Sequence, residues 1–277
     1  MIIIAIFVLG VVLGSFVNAL VWRLHEQARH KKPSAPFAKD LSIVKGRSMC
    51  PRCHHTLAAY DLVPVFSWLW LRGNCRYCHK PISPQYPAVE LLTGLLFTLS
   101  YVAWPLSFDA VGVVRFGFFV VFTVFFVALA LYDIKWFLLP NKLVFPLIGL
   151  AGVQIVLLSI WQRSFGDFWQ PVAGAAIVYG LFWGLYRVSK GEWIGGGDVK
   201  LVIALGLIAG SPVHALLVVF TASLLGTLAS FPLLLKGRKG MKQHIPFGPY
   251  LLAGCFLVVL FAMSALSWYL RLLTLNP

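Results

Sequence analysis

The feature of this sequence that most limits its fold is a series of long apolar runs that recur along the whole chain. A bilayer core takes about 20 consecutive apolar residues per helix, and a helix satisfies its backbone hydrogen bonds without water. Hydrophobic residues make up 60% of the chain and charged residues only 12%, far from the composition of a soluble domain. We therefore predict an all-α polytopic membrane protein with about eight transmembrane helices, near residues 2–22, 86–104, 112–131, 143–161, 171–187, 199–210, 213–235 and 247–270.

The positive charge is distributed unevenly between the two sides of this predicted membrane domain. A net charge of +14 is compatible with nucleic-acid binding. If the N-terminus lies outside, however, every Lys and Arg except Arg115, Arg163 and Arg271 falls inside or at the inner end of a span. This asymmetry is the positive-inside rule, so the charge sets the orientation and we expect no nucleic-acid partner. The run Met1–Leu20 lacks the basic n-region of a signal peptide, and we interpret it as an anchor.

One sizeable polar segment interrupts the apolar runs, and it defines the predicted domains. The division is a first transmembrane helix at 1–22, a cytoplasmic insert at 23–85 and a membrane domain of about seven helices at 86–277. The first half of the insert, Leu24–Ser48, is basic and has no apolar period, which predicts an extended segment. The second half, Met49–Pro84, carries four cysteines and several turn residues, which predicts a small compact module.

The four cysteines form two CxxC pairs, Cys50-Pro-Arg-Cys53 and Cys75-Arg-Tyr-Cys78, separated by 21 residues. Two such pairs are typical of a tetrahedral zinc site of the zinc-ribbon kind, in which four thiolates close the coordination shell. A disulfide is the main alternative, but a reducing cytoplasm disfavours it. We predict a structural zinc ion on these cysteines.

Other possible ligands near this module have simpler interpretations. His54, His55 and His79 lie beside the CxxC pairs, but four cysteines suffice, so we interpret the histidines as neighbours of the site. Cys255 stands alone in the last span and is interpreted as a packing residue.

Two acidic residues stand out because carboxylates near membrane spans are costly. Asp133 lies at the inner end of the third span, and Asp198 follows three glycines at the inner start of the sixth. Both therefore have the same predicted depth on the same side. Two carboxyl groups that share a site do not both ionise readily, so one can take a proton from water while the other donates to an oxyanion. This predicts an aspartyl hydrolase.

Each aspartate also has a structural interpretation. Asp198 suits a helix N-cap, which would not exclude catalysis. Asp133 lies near a helix C-terminus, where a negative charge opposes the macrodipole, and Lys135 or Lys142 would offset it. The glycines Gly195, Gly196 and Gly197 allow a substrate backbone to approach closely.

The order of these motifs resembles the type IV prepilin peptidase family, the bacterial GxGD-type membrane aspartyl proteases. The resemblance covers almost the whole chain, and its motifs are Gly14–Asn18 with Arg23, Cys50–Cys53, Pro64–Trp68, Leu71–Cys78, Tyr86–Glu90, the Asp133 segment ending in Leu139-Pro140, Gly195–Lys200 and Ile245–Pro249.

The resemblance implies a bifunctional enzyme of the bacterial cytoplasmic membrane that acts on prepilins and pseudopilins. It implies cleavage of the basic leader by Asp133 and Asp198. It also implies N-methylation of the new N-terminus with S-adenosylmethionine, with Gly73 and Glu90 as candidate cofactor residues. No Gly-rich cofactor loop supports the methyl donor independently. Pro87 and Glu90 also suit an ordinary helix N-terminus.

Three other functions remain open at this point. A leader peptidase without methyltransferase activity would use the same two aspartates. A zinc-stabilised membrane scaffold of a secretion system would leave that pair unexplained. A transporter would place its carboxylates near the midplane, whereas these are predicted at the inner rim.

Overall fold

The computed structural model describes residues 1–29, 41–43, 46–235 and 246–274. Within these ranges the chain is helical, with one 3₁₀ turn at Ala59–Leu62 and two isolated β-bridges. The nine α-helices of the described residues are α1 Ile2–Arg29, α2 Phe66–Trp70, α3 Gln85–Val102, α4 Ala110–Trp136, α5 Asn141–Gln162, α6 Gly166–Val188, α7 Gly196–Ala209, α8 Pro212–Leu235 and α9 Gly248–Thr274.

The predicted all-α polytopic fold is confirmed, and each of the eight predicted spans falls on one helix. Five helices, α1, α4, α5, α6 and α8, are long and apolar enough to cross a membrane, and α9 carries a shorter apolar stretch at Gly248–Ala262. Helix α7 has 14 residues, roughly 21 Å at 1.5 Å per residue, which is less than a bilayer core. The segment Leu24–Ser48 was predicted to be extended, but α1 continues to Arg29, so the prediction is wrong for residues 24–29. Residues 30–40 and 44–45 of this segment, and the basic residues at 236–245, lie outside the described residues.

The chain divides into two compact units, residues 1–102 and 103–277. Unit 1 contains α1, the cysteine module and α3. Unit 2 contains α4 to α9. The functional division predicted at residues 22 and 85 stays a prediction.

In unit 1, small residues bring α1 and α3 together. A Cβ on Gly10 would lie 2.8 Å from the Cα of Gly94, and a Cβ on Gly14 would lie 2.8 Å from the Cα of Glu90. Such contacts are typical of membrane helices, whose association depends on close packing of backbones. The amide of Asn18 also donates to the Tyr86 carbonyl at 3.0 Å, which fixes the register of the pair.

In unit 2, α7 is enclosed by its neighbours and carries the core residues Leu201 and Leu205, which are 0% and 1% exposed. Gly206 allows α6 to approach, because its Cβ would lie 2.5 Å from the Cα of Ala175. Helix α4 ends at a left-handed residue, Phe137, whose N–H donates to the Asp133 carbonyl at 2.8 Å. The first two contacts fix α7 among its neighbours, and the last marks where α4 ends.

Candidate metal and catalytic sites

The four cysteines of the insert form one cluster. Their sulfur atoms all lie within 4.8 Å of one another, and the group contains no histidine. Tetrahedral Zn–S bonds of 2.3 Å imply sulfur separations of roughly 3.8 Å, so a small contraction brings the thiols to a coordinating geometry. All five cysteines of the chain are free thiols, which disfavours the disulfide alternative. The cluster is thus positioned to hold a metal ion.

The two CxxC pairs have the same backbone geometry. The N–H of Cys50 donates to the His55 carbonyl at 3.0 Å, and the N–H of Cys75 donates to the Lys80 carbonyl at 2.9 Å. In each pair the residue four positions after the first cysteine, His54 or His79, has a positive φ and donates its N–H back to that cysteine's carbonyl at 2.9 Å. Each pair is therefore a tight turn that presents two sulfurs from one side.

The thiols differ in their electrostatic surroundings. Burial raises the pKa of Cys50 to about 12, whereas the N–H of Lys80 lowers the pKa of Cys78. Cys50 and Cys75 are 4% and 2% exposed, and Cys53 is exposed. Since metal ligands must be thiolates, binding at this cluster releases protons.

A buried carboxylate, Asp61, ties the segment between the pairs to the second pair. It accepts from Arg76 Nε at 2.8 Å, from the Tyr77 hydroxyl at 3.0 Å and from the Ala58 N–H at 3.3 Å. Arg76 and Tyr77 are the two residues inside the second CxxC pair. Asp61 therefore fixes the second pair against the rest of the module.

A cavity of about 140 Å³ lies within unit 1, beside the cysteine cluster. A cavity of this size holds roughly one benzene-sized ring. Its wall includes the carboxylates of Asp61 and Glu90, the sulfur-bearing residues Cys50 and Cys75, and the aromatic side chains of Trp22, Trp68 and Tyr86.

Glu90 supports a strained turn at the edge of this cavity. Val65 has φ 61° and ψ −52°, and the Phe66 N–H donates to the Pro64 carbonyl at 2.6 Å, which makes Val65 the centre of a γ-turn. A β-branched residue is rare in that conformation. The Glu90 carboxylate accepts from the Val65 N–H at 2.7 Å and is 6% exposed. The interpretation of Glu90 as part of an ordinary helix N-terminus is wrong, because α3 begins at Gln85 and has no acidic residue in its first turn.

Gly73 does not line the cavity but shapes its wall. Its φ is +71°, and a Cβ there would lie 3.0 Å from the indole of Trp68. The Trp68 Nε1 donates to the Ile82 carbonyl at 3.1 Å, which holds the indole in place. Gly73 thus allows the indole to pack closely against the turn.

In unit 2, the structure brings Asp133 and Asp198 near enough for their charges to interact. Asp133 is 5% exposed, and its carboxylate accepts from the N–H of Gly248 at the start of α9. Lys135, one of the two predicted partners of Asp133, lies over the Trp136 ring instead, at 5.2 Å.

Asp198 does not cap α7 in the predicted way. The N-cap is Gly195, and Asp198 is the third residue of the helix, so the N-cap interpretation is wrong. Its carboxylate instead accepts from the Gly195 N–H, the second half of a capping box. Its Oδ1 is buried and has no hydrogen-bond partner among the described residues.

Leu139 and two glycines hold the two acidic segments together. A Cβ on Gly197 would lie 3.1 Å from the Leu139 Cβ, and a Cβ on Gly248 would lie 3.5 Å from its Cδ2. A Cβ on Gly248 would also lie 2.5 Å from Asp133 Oδ2. Lys200 adds a hydrogen bond to the Asn141 side chain at 3.1 Å. The acidic pair therefore depends on residues from α4, the α4–α5 loop, α7 and α9.

Two family models match this chain. One, the Bacterial Peptidase A24 N-terminal domain, matches residues 8–104, and the other, the Type IV leader peptidase family, matches residues 120–231. The first match falls largely in unit 1 and the second in unit 2.

The chain is also similar to curated proteins named prepilin leader peptidase/N-methyltransferase. The protein from Aeromonas hydrophila is 32% identical over 96% of this chain and 92% of its own length. The one from Bacillus subtilis (strain 168) is 31% identical over 96% and 97%, and the one from Dickeya chrysanthemi is 33% identical over 89% and 88%. No solved structure matches significantly.

Proposed function

Because the chain belongs to the type IV leader peptidase family, we propose that this membrane enzyme removes the basic leader of prepilins and pseudopilins with Asp133 and Asp198 and N-methylates the new N-terminus. The proposal rests on the packing of Gly197, next to Asp198, and of Gly248, next to Asp133 Oδ2, against the same residue, Leu139, at a spacing where the two carboxyl charges interact. The relatives' names supply the substrate class and the second activity.

In this mechanism the two aspartates share one proton. Asp133, which accepts from the Gly248 N–H, is the carboxylate, and Asp198, whose Oδ1 has no partner among the described residues, carries the proton. Asp133 takes a proton from water as the water oxygen bonds to the scissile carbonyl carbon. Asp198 donates its proton to the carbonyl oxygen, which gives a neutral tetrahedral diol.

Collapse of this diol returns both aspartates to their starting states. Asp133 gives its proton to the leaving nitrogen as the C–N bond breaks, and Asp198 recovers a proton from a diol hydroxyl as the carbonyl re-forms. The chemistry therefore needs only this pair and one water.

The side of the membrane follows from the charge distribution. All Lys and Arg residues except Arg115, Arg163 and Arg271 fall on or beside the predicted inner segments. We assign the cysteine module and the acidic pair to the cytoplasmic side of the bacterial cytoplasmic membrane. A substrate with an apolar helix in lipid and a basic leader in the cytoplasm would then present its scissile bond near the inner interface.

The cysteine cluster suits zinc as a structural ion. Four sulfurs leave no coordination position for water or substrate, and thiolates are preferred ligands of zinc. Asp61 and the two matched turns align the sulfurs.

One end of the methyl donor fits the cavity of unit 1. S-adenosylmethionine supplies the methyl group when bound, but about 140 Å³ accommodates only part of it. The cavity's aromatic walls suit a flat base, and the carboxylates of Glu90 and Asp61 suit hydroxyl or ammonium groups. Gly73 contributes indirectly, through the position of Trp68.

A single reaction tests both activities. Purified enzyme in liposomes is given a prepilin, with and without S-adenosylmethionine, and the product N-terminus is analysed by mass spectrometry. We expect Asp133→Asn and Asp198→Asn each to lower cleavage by at least about 10³-fold. Glu192→Gln, an exposed acid close to Asp198 in sequence, should cleave normally. Normal processing by either Asn variant would refute the pair.

The same reaction separates the second activity. Glu90→Gln should cleave normally but methylate the product more slowly, since Glu90 belongs to unit 1. If wild-type enzyme leaves an unmethylated N-terminus in the presence of the donor, the chain is a leader peptidase alone.

A further inference from the structure

The short helix α2 of unit 1 presents an apolar face that no other described residue covers. Phe66, Leu69 and Trp70 are spaced i, i+3 and i+4, so they lie on one side of the helix, and they are 72%, 57% and 85% exposed. Trp68 lies on the opposite side, where it lines the unit 1 cavity and its Nε1 donates to the Ile82 carbonyl. The inner face therefore secures α2 to the module, and the outer face remains exposed.

The exposed surface continues onto the 3₁₀ turn that precedes α2. An open groove of about 440 Å³ lies there, and its walls are Tyr60, Val63, Phe66, Ser67, Trp70 and Arg76. Tyr60 and Val63 are exposed like the outer face of α2. We define the apolar patch as Tyr60, Val63, Phe66, Leu69 and Trp70. A contiguous group of exposed large apolar side chains marks a contact with a protein or a membrane.

The depth of α2 in the membrane follows first from its contact with α3. The Val65 N–H, at the start of α2, donates to the Glu90 carboxylate at 2.7 Å. The Glu90 Cα lies against Gly14 of α1, where an added Cβ would be 2.8 Å away. The predicted first span ends at residue 22, eight residues after Gly14, which is roughly 12 Å along the helix axis. A glutamate side chain and one hydrogen bond are together shorter than this distance, so α2 begins at the depth of the span.

The unit 1 cavity gives a second measure of this depth. Residues Ser67 and Trp68 of α2 share it with four residues of α1, which are Ser15, Asn18, Ala19 and Trp22. A cavity of about 140 Å³ is only about one ring wide, so α2 lies directly beside this part of α1. Helix α1 is long and apolar enough to cross a membrane, and residues 15–22 are the last two turns of its predicted span. The outer face of α2, directed away from α1, therefore lies near the lipid headgroups.

The composition of the apolar patch suits that depth. Tyrosine and tryptophan are enriched at the level of the headgroups, and Phe66 and Leu69 are residues that an interfacial helix buries among the acyl chains. No member of the patch is charged, whereas two exposed cations flank it: Arg72 follows α2, and Arg76 borders the groove. Cations beside an apolar face are typical of helices that lie on a bilayer with anionic lipids.

We propose that the apolar patch inserts into the leaflet on its own side of the membrane, so that the cysteine module lies in the interface and does not project into water. The occupant of the patch is lipid. A partner from the aqueous phase would have to displace headgroups to reach side chains at this depth, and the contacts with Glu90 and α1 prevent the module from moving away. This membrane contact is independent of the proposed peptidase and methyltransferase activities.

Hydroxyl-radical footprinting of the wild-type, full-length protein in liposomes of phosphatidylethanolamine and phosphatidylglycerol tests the contact. X-ray radiolysis of water produces radicals on both sides of the bilayer, and lipid shields the side chains that it covers. We expect Phe66 and Trp70 to be oxidised about tenfold more slowly than the free amino acids, in spite of their exposure in the protein. His54 and His79, which are exposed beside the two CxxC pairs, are internal controls and should react like free histidine.

Fluorescence quenching by brominated lipid identifies what covers the patch. The chain has 10 tryptophans, so the Trp70 signal is taken as the difference between wild type and Trp70→Phe. In liposomes whose lipid is brominated on the upper part of the acyl chains, this signal should fall by about half or more. Trp68→Phe is the matched control, because Trp68 lies two residues away on the cavity side, and its difference signal should hardly change.

Two results would overturn the proposal. One is oxidation of Trp70 in liposomes at the rate of free tryptophan, which would show that the patch faces water and serves a partner from the aqueous phase. The other is a Trp70 side chain that is protected from radicals but not quenched by brominated lipid, which would show that protein covers the patch. The footprinting needs no substitution, so the first result does not depend on the folding of a variant.

Discussion

The cysteine cluster and the acidic pair are two candidate sites assembled by opposite routes. The cysteine ligands all come from residues 50–78, and each pair is shaped by its own turn. The aspartates lie on α4 and α7, and α5 and α6 intervene between them. Local hydrogen bonds therefore determine the first site, and helix packing determines the second.

This difference predicts which substitutions each site tolerates. In the cysteine cluster, tight backbone turns position the sulfurs. Replacing a cysteine should therefore reduce metal binding more than replacing a neighbouring residue. In the acidic pair, the position of the carboxyl groups depends on glycines that permit close contact between the segments. A single methyl group added at such a glycine should therefore lower cleavage almost as much as the loss of a carboxyl group. Three substitutions test the comparison, in order of decreasing effect.

The largest effect is expected from loss of one cysteine ligand. Cys75→Ser removes a buried thiolate that the serine hydroxyl does not replace, so bound metal should fall from one ion per chain to nearly none. Cys255→Ala is the control, because Cys255 is fully buried in α9 and outside the cluster. Elemental analysis of the purified proteins gives the count. Full metal content in Cys75→Ser would contradict the four-thiolate site.

A smaller effect is expected from one methyl group at the acidic pair. In Gly248→Ala the new Cβ would lie 2.5 Å from Asp133 Oδ2, so the carboxylate must move and cleavage should fall about 10²-fold. Gly226→Ala, in the same unit, meets nothing closer than 3.6 Å and should cleave normally. Initial rates with saturating prepilin measure the difference. Equal rates for both variants would show that Asp133 is not confined as proposed.

Much of the fold and part of the sites follow from sequence because their signals are local. Apolar runs predict helices without any knowledge of their neighbours, and the eight predicted spans are found on helices. CxxC spacing predicts a cluster because two tight turns allow little else. The two aspartates are predicted at span ends, and they lie near the end of α4 and in the first turn of α7.

The remainder depends on contacts between distant residues. Nothing local predicts that Leu139 lies against Gly197 and Gly248, or that Glu90 holds the N–H of Val65 across 25 residues. Asp61 lies between the two CxxC pairs, where no motif marks it, so only its contacts with Arg76 and Tyr77 reveal its role. The N-cap interpretation of Asp198 was wrong by three residues because glycine also caps helices.

The smallest effect is expected at Asp61, and it depends on pH. Burial acts to raise the pKa of Asp61, but hydrogen bonds from Arg76, Tyr77 and the Ala58 N–H outweigh it and lower the pKa below its ordinary value of 3.8. A carboxyl whose folded-state pKa is lowered stabilises the fold above the unfolded pKa, and this contribution is lost as pH falls through the folded value. Asp61→Asn should therefore weaken the module at pH 7 and cease to differ from wild type only below about pH 4.

Hydrogen exchange of residues 58–78 measures this contribution, with Asp109→Asn in unit 2 as the control. We expect about tenfold faster exchange in Asp61→Asn at pH 7. Acid also releases metal from thiolates in both proteins, so the informative quantity is the pH at which their difference disappears. A difference that persists to about pH 4 after the metal has left means that the carboxylate orders the second CxxC pair by itself. A difference that disappears together with the metal means that Asp61 orders the second CxxC pair only while the ion is bound. The cysteine site would then depend on its metal ion as strongly as the acidic pair depends on its glycines.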